Sequence, residues 1–189
     1  MSNTTLILKI EMRGFWHCSS GNVAGALIDA TCKRDANHLP MLGGRALKGL
    51  LREAVRQAGL YGWKADGVLT AITPNAYKTL FGTDTSAGTI RVGSARVDGW
   101  AELASATETE KATLFRLISS TALDNGIARD KSLRCIEVAV PLTLSAEVSL
   151  PTDDKKTLLA ALPLITELGG KRARGFGRCE ITTVPKGNP

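Results

Sequence analysis

Leu6, Leu8, Ile10 and Met12 alternate with Ile7, Lys9 and Glu11, a period of two that predicts a first strand with one buried face. From Gly14 to Leu42 the periodicity breaks down into polar and glycine-rich sequence, with "AGALIDAT" only mildly apolar, so a long excursion follows that strand. The spacing then changes to that of a helix over Arg45 to Ala58, where Leu47, Leu50, Leu51, Ala54, Val55 and Ala58 share one half of the wheel and Gly59 stands as a terminator. Ile90 and Val92 in "GTIRVGSARVDGW" predict a second strand, after a variable stretch around "KTLFGTDTSAG". The alternation Val138, Val140, Leu142, Leu144, Ala146, Val148, Leu150 predicts the longest strand, with a mixed polar opposite face.

Thr152 is placed to cap a second helix whose first turn carries Asp153 and Asp154, and Pro163 must kink or split it because proline lacks the amide donor. Gly169 and Gly170 end it, and "GFGRCEITTV" supplies a last strand before a Pro-containing tail. The order strand, helix, strand, strand, helix, strand predicts an α+β, ferredoxin-like fold, a modified RNA-recognition motif. Residues 1–189 form one domain on this reading, with loop or hairpin insertions at about 14–42 and 118–136.

The polar half of the first helix changes the picture. With about 100° per residue, Lys48, Arg52 and Arg56 fall within roughly 60° of Arg45. Like charges at such spacing repel by roughly 0.2–0.5 kcal/mol per pair, which an anion lying against the row would offset. A solvated surface helix is the alternative. The glycines before it do not make a P-loop, because Lys48 is followed by Gly49 and no hydroxyl, which excludes that class of NTPase. Overall 24 Lys plus Arg against 18 Asp plus Glu give +6, which favours an acidic partner, nucleic acid above all. The four cysteines at 18, 32, 135 and 179 have neither metal-ligand nor disulfide-scaffold spacing. No secretory leader or membrane-length apolar run is present, so a cytoplasmic protein without membrane contact is expected.

A second basic element, "ELGGKRARGFGRCEI", sets Gly169, Gly170, Gly175 and Gly177 among Lys171, Arg172, Arg174 and Arg178. Its glycines allow an anion-binding nest of backbone amides, or merely a helix C-cap followed by a bulged strand. With Arg129, Lys131 and Arg134 in the later insertion, the two elements predict an extended track for a phosphate backbone. Trp16, Trp63, Trp100, Phe81 and Phe176 are mostly expected in the core.

These stretches resemble the RAMP superfamily of CRISPR effector proteins, in particular the repeated backbone subunit of type III interference complexes. "LPMLGGRALKGLLR" is similar to the family's proline, glycine, Leu-Lys-Gly and arginine signature, and "LGGKRARGFGR" to its closing glycine-rich loop. "GFWHCSSGN" is similar to its early His-containing turn, with Cys18 to Ser20 where glycines are expected. "LFGT", "GTIRVGSARV" and "ALDNGIARDKSLRCIEVAVPLTLSAEV" follow in family order.

The resemblance implies subunits stacked head to tail along a guide CRISPR RNA, with other effector subunits, each carrying a thumb-like hairpin that interrupts pairing with target RNA. It implies that Lys48, Arg52 and the Gly169 to Arg178 loop hold guide phosphates. It also implies cleavage of paired target RNA by an acidic residue in the excursion, matched by Asp29 with Asp35 as fallback, holding a divalent ion such as Mg2+ or Mn2+. A scaffold that binds guide RNA without cutting is one alternative; a guide-processing endoribonuclease using His17 or His38 is another. Reversing the charge at Lys48 or Arg52 is expected to weaken RNA binding for all sequences and to flatten its salt dependence, measured by titration at several ionic strengths.

Overall fold

The computed structural model describes residues 2–21, 28–64 and 72–185. In chain order the strands are β1 (Asn3–Met12), β2 (Met41–Leu42), β3 (Arg91–Val92), β4 (Ala95–Val97), β5 (Phe115–Ser120), β6 (Leu123–Asp124), β7 (Ile127–Ala128), β8 (Arg134–Ala139), β9 (Thr143–Pro151) and β10 (Cys179–Pro185). The helices are α1 (Gly44–Leu60), α2 (Ala76–Phe81), α3 (Trp100–Ala104), α4 (Glu108–Ala112) and α5 (Lys155–Ala161).

The main sheet is antiparallel and runs β10-β1-β9-β4-β2, with β3 also paired to β9. β1 lies inside it, so its alternation is read on both sides: Leu6, Leu8, Ile10 and Met12 are buried, as are Leu144, Ala146, Val148 and Leu150 of β9. Each fully buried aliphatic side chain contributes about 1.5–3 kcal/mol relative to its exposed state. A one-residue slip would turn this whole set to water, and register is fixed for that reason. Leu47, Leu51, Ala54, Val55 and Ala58 of α1, with Leu158, Ala160 and Ala161 of α5, cover the buried face as one core. The chain is therefore a mixed α and β protein built on antiparallel sheets.

The observed elements depart from the sequence pattern at particular residues. α1 continues through Gly59 to Leu60, with Tyr61 as its C-cap. Gly59 is there because a Cβ at that position would sit 2.6 Å from the Thr73 carbonyl oxygen, where the next segment crosses the helix. The run from Val138 to Leu150 is two strands. Pro141 interrupts it, and β8 leaves the main sheet to pair with β5 along Phe115 to Ser120. The β5–β8 arm is extended at its tip by the short β6–β7 pair. Thr152 does not cap a helix; its hydroxyl donates to the Ser2 carbonyl at 3.0 Å, and a 3-10 turn over Thr152–Asp154 precedes α5. Pro163 acts as expected: α5 stops at Ala161 and a 3-10 turn spans Leu162–Leu164.

The long excursion is woven into the fold where it is described. Bridges join Ser19 to Cys32, Ala30 to Ile136 and Arg34 to Pro40, and β2 adds an edge to the main sheet. Residues 22–27, part of the mildly apolar stretch, and the tail beyond Pro185 lie outside the described residues. Helices α2, α3 and α4 have no counterpart in the periodicity because each is five or six residues long. Replacing Gly59 by Ala is expected to destabilise the fold by about 1–3 kcal/mol through overpacking against a backbone that cannot yield, measured by denaturant unfolding.

Candidate nucleic-acid interface

The hydrogen bonds of α1 start from tight packing at its N-terminus. Gly44 lies under the Val92–Gly93 backbone, with its Cβ position 2.6 Å from the Val92 carbonyl oxygen, and its amide donates to Ser94 Oγ at 3.1 Å. The positive end of this 17-residue helix opens into a hollow lined by Gly43, Gly44, Arg45, Lys33 and Ser94. A neighbouring hollow runs along Ala46, Gly49, Leu50 and Glu53 to Leu168, Gly169, Gly170 and Arg172. The two share Cys18, Ser19 and Ala46, so they form one channel between α1 and the glycine-rich closing loop.

The four helical cations do not act as one row. Arg45 is exposed at the channel mouth. Lys48 turns to the other flank, where its Nζ donates to the Ile90 carbonyl at 3.3 Å, and the Arg52 guanidinium lies 5.6 Å from the Tyr77 ring centre. Arg56 is paired with Glu53, its Nε and Nη2 donating at 2.8 and 2.7 Å, and this pairing holds the Glu53 carboxyl below its ordinary range. Self-repulsion along the helix is thus relieved partly by the protein's own groups. The sequence pattern missed Lys33 and Ser94, although "CKRD" does show adjacent cations in the excursion.

The closing loop owes its glycines mainly to its own backbone. Gly169, at φ +81, would place a Cβ 2.4 Å from the His17 carbonyl oxygen; Gly177, also at φ +81, would place one 1.9 Å from that of Leu168. Gly170 donates its amide to His17 O at 2.8 Å and Gly177 donates to Phe15 O at 2.8 Å. Between these anchors Lys171 and Gly175, both left-handed, frame a 3-10 turn over Arg172–Arg174. Arg172 faces the channel and Arg174 faces a separate cavity beside the β5–β8 arm. Arg178 is exposed at the loop's base, bridged across to Glu167.

The acidic and histidine candidates have structural partners. Asp29 is exposed, yet its Oδ2 accepts the Cys135 amide at 2.7 Å while its own amide donates to Cys135 O at 2.8 Å, tying the excursion to β8. Asp35 closes a turn, its Oδ1 accepting the amides of Asn37 at 2.8 Å and Leu39 at 3.0 Å. Among the described residues no three His, Cys, Asp or Glu side chains come together as a metal site. Asp29 alone is a single-carboxylate donor and does not form a self-contained centre for Mg2+ or Mn2+. His17 is buried, with Nδ1 2.7 Å from the Glu137 carbonyl oxygen, and exposed His38 has Nδ1 2.8 Å from Glu108 Oε2. Each ring is thus held through Nδ1, by a backbone carbonyl at His17 and by a carboxylate at His38.

Next to His17 lies a polar cluster that no sequence motif announces. Glu137 is buried on β8, accepting the Cys32 amide at 2.8 Å on Oε2 and Arg34 Nη2 at 2.6 Å on Oε1. Arg34 also lies 3.9 Å from the Phe115 ring centre. The group pins the excursion to the arm. Burial, then the Glu137 charge, pushes the Cys32 thiol up to about 12. Trp16 and Phe81 are buried, the Trp63 indole donates to Ala160 O at 3.0 Å, and Arg96 lies 5.2 Å from the Trp100 ring centre. Among the described residues the solvent-facing strand positions Lys9, Glu11, Arg96, Ser145, Glu147, Glu180 and Thr182 carry no aromatic side chain, and Trp100 of α3 stands beside Arg96. The strands themselves therefore lack the aromatic positions on which an RNA-recognition sheet usually stacks bases.

What the fold and these surfaces define is a basic α+β protein whose cations gather around one helix end and one glycine-rich loop. The chain belongs to the RAMP superfamily, whose family model matches residues 9–180. This bears out the resemblance read from its motifs. Its fold is similar to a chain in the cryo-EM structure of the type III-B Cmr-beta bound to cognate target RNA, at TM-score 0.67 and 16% identity, covering 97% of this chain and 61% of that one. A chain of the apo-state Cmr-beta is similar at TM-score 0.68 and 12% identity, covering 97% of this chain and 98% of that one. Among curated proteins none is significantly similar in sequence. No helix among the described residues is long and apolar enough to cross a membrane.

Two thiols give a pH prediction. Burial raises Cys32 to about 12 and Cys179 to about 11, against an ordinary value of 9.0. Between the ordinary and raised values the native state binds more protons than the unfolded one, so stability falls as pH rises. Denaturant midpoints are expected to be flat below pH 9 with respect to these groups and to fall above it. Cys32→Ala is expected to flatten the fall.

Proposed function

We propose that this chain is a backbone subunit of a type III CRISPR effector complex and binds guide RNA through its phosphates. The observation that carries the proposal is the channel in which the positive end of α1, Arg45 and Lys33 meet Gly169, Gly170 and Arg172. A helix N-terminus with flanking cations is suited to phosphate, and the uncharged Ala46, Gly49 and Leu50 let a backbone lie close. Membership of the RAMP superfamily and the likeness to Cmr-beta chains support the same reading. The partners proposed are guide CRISPR RNA, target RNA, further copies of the chain and other effector subunits.

The ferredoxin-like assignment belongs with this proposal. Taking β1, β4, β9 and β10 as the four core strands and α1 and α5 as the two helices, the sheet order is fourth, first, third, second. That order supports a modified RNA-recognition fold in which β2, β3 and the β5–β8 arm are additions.

Target cleavage is proposed to depend on Asp29, whose Oδ1 is the carboxylate oxygen not taken by the Cys135 amide. A second reading, guide binding without cleavage, is favoured by the two backbone bonds that make Asp29 a tie between the excursion and β8. Asp29→Asn separates them, because the amide keeps an acceptor for Cys135 and removes the charge. In an assembled complex, cutting reduced by at least about a hundredfold with RNA binding retained is the expected outcome if Asp29 is catalytic. Unchanged cutting would assign the residue to structure alone. Arg45→Glu is expected to weaken guide binding in the same complex, and unchanged guide binding would remove the channel from the proposal.

A further inference from the structure

A further group of cations lies outside the α1 channel. Arg129, Lys131 and Arg134, at the base of the β6–β7 tip, face Arg174 of the closing loop across a cavity of about 610 Å3. The one acid in its lining is Asp130. Among the described residues none of the four cations has an ion-pair partner, whereas Arg13, Arg34 and Arg56 all do. Four like charges around one cavity repel each other unless an anion joins them.

Both walls are tight turns whose backbones carry these exposed cations. Ser132 donates its amide to Arg129 O at 3.3 Å, and its hydroxyl donates to the same carbonyl at 2.6 Å while accepting the Ala122 amide at 3.1 Å. This puts Lys131 at the third position of the turn with φ +54, a conformation suited to glycine or asparagine. On the other wall, Lys171 is at φ +62 ahead of the turn that carries Arg174. Both lysines thus occupy left-handed turn positions beside arginines that have no ion-pair partner among the described residues.

We propose that this cavity is a second phosphate-binding site, which takes an internal phosphodiester of the bound RNA and clamps the β5–β8 arm against the closing loop. The proposal rests on the RNA-binding reading above. Arg172 and Arg174 sit on one turn and face the channel and the cavity respectively, so a strand leaving the channel past this turn meets the cavity next. Guanidinium forks match phosphate oxygens, and the unpaired set leaves room for a diester with its ribose.

The test is binding of a single-stranded RNA with 5′-hydroxyl ends to the full chain, by fluorescence anisotropy at several salt concentrations. Arg129→Glu with Arg134→Glu is expected to weaken binding about tenfold or more and to lower the slope of log affinity against log salt by about 1 to 1.5, at about 0.7 per phosphate contact. Lys131→Gly guards against a folding explanation: it is expected to raise the melting temperature, by relieving the turn, while weakening RNA binding. Binding and slope unchanged in all these variants, with Arg45→Glu still weakening binding, would overturn the cavity assignment and leave the channel intact. No salt-dependent RNA binding by the wild-type chain would overturn the RNA reading itself. A poly-glutamate peptide bound by the wild type and lost in the double variant, with RNA binding unaffected, would assign the cavity to an acidic protein and also overturn the proposal. A double variant that weakens binding only to a 5′-phosphorylated RNA would overturn the internal-phosphodiester assignment.

Discussion

The closing loop and the β5–β8 arm are both positioned by the short segment Phe15 to His17. On one edge its carbonyls accept the amides of Gly177 and Gly170, which seats the closing loop. On the other, Trp16 exchanges backbone hydrogen bonds with Ala139, its indole donates to Val140 O, and the His17 ring bonds the Glu137 carbonyl, which seats the arm. Trp16 and His17 are buried, so these bonds are screened from competing water and are costly to leave unmade. The loop and the arm share one support, and a displacement there would move the channel and the cavity together.

Charge is distributed unevenly around that support. Cations close to the α1 core are engaged by the protein: Lys48 by a carbonyl, Arg52 by a ring, Arg56 by a carboxylate, Arg34 by buried Glu137. Those at the channel mouth and on the two turns that flank the cavity have no ion-pair partner among the described residues. A helix face read from spacing alone counts both kinds equally. Net charge indicates the class of partner, and only the neighbours of each side chain separate engaged charges from available ones.

The strands with a clean period of two and the amphipathic α1 were legible because burial on one face leaves a direct trace in sequence. The split at Pro141 was legible in principle, since a proline inside the alternation argues against one continuous strand. The capping box at α4, where Thr107 and Glu110 exchange side-chain to backbone bonds, was also written locally as Thr-x-x-Glu. The Arg34–Glu137 pair was not legible: its partners are far apart in sequence and meet only because the excursion folds back onto β8. The roles of Gly59 and Gly177 were hidden although Thr73 and Leu168 are near them along the chain, because two backbones crossing closely leave no hydrophobic pattern. Each faces a segment that sequence does not identify as a neighbour.

The fate of those glycines carries a consequence for comparing relatives. Gly44, Gly59, Gly169 and Gly177 meet backbone atoms of their own chain, where even a methyl group would collide. A descendant that had abandoned nucleic acid altogether would still lose stability by replacing them. The glycine signature therefore diagnoses architecture, and inheritance of the activity has to be judged from the basic side chains between the glycines.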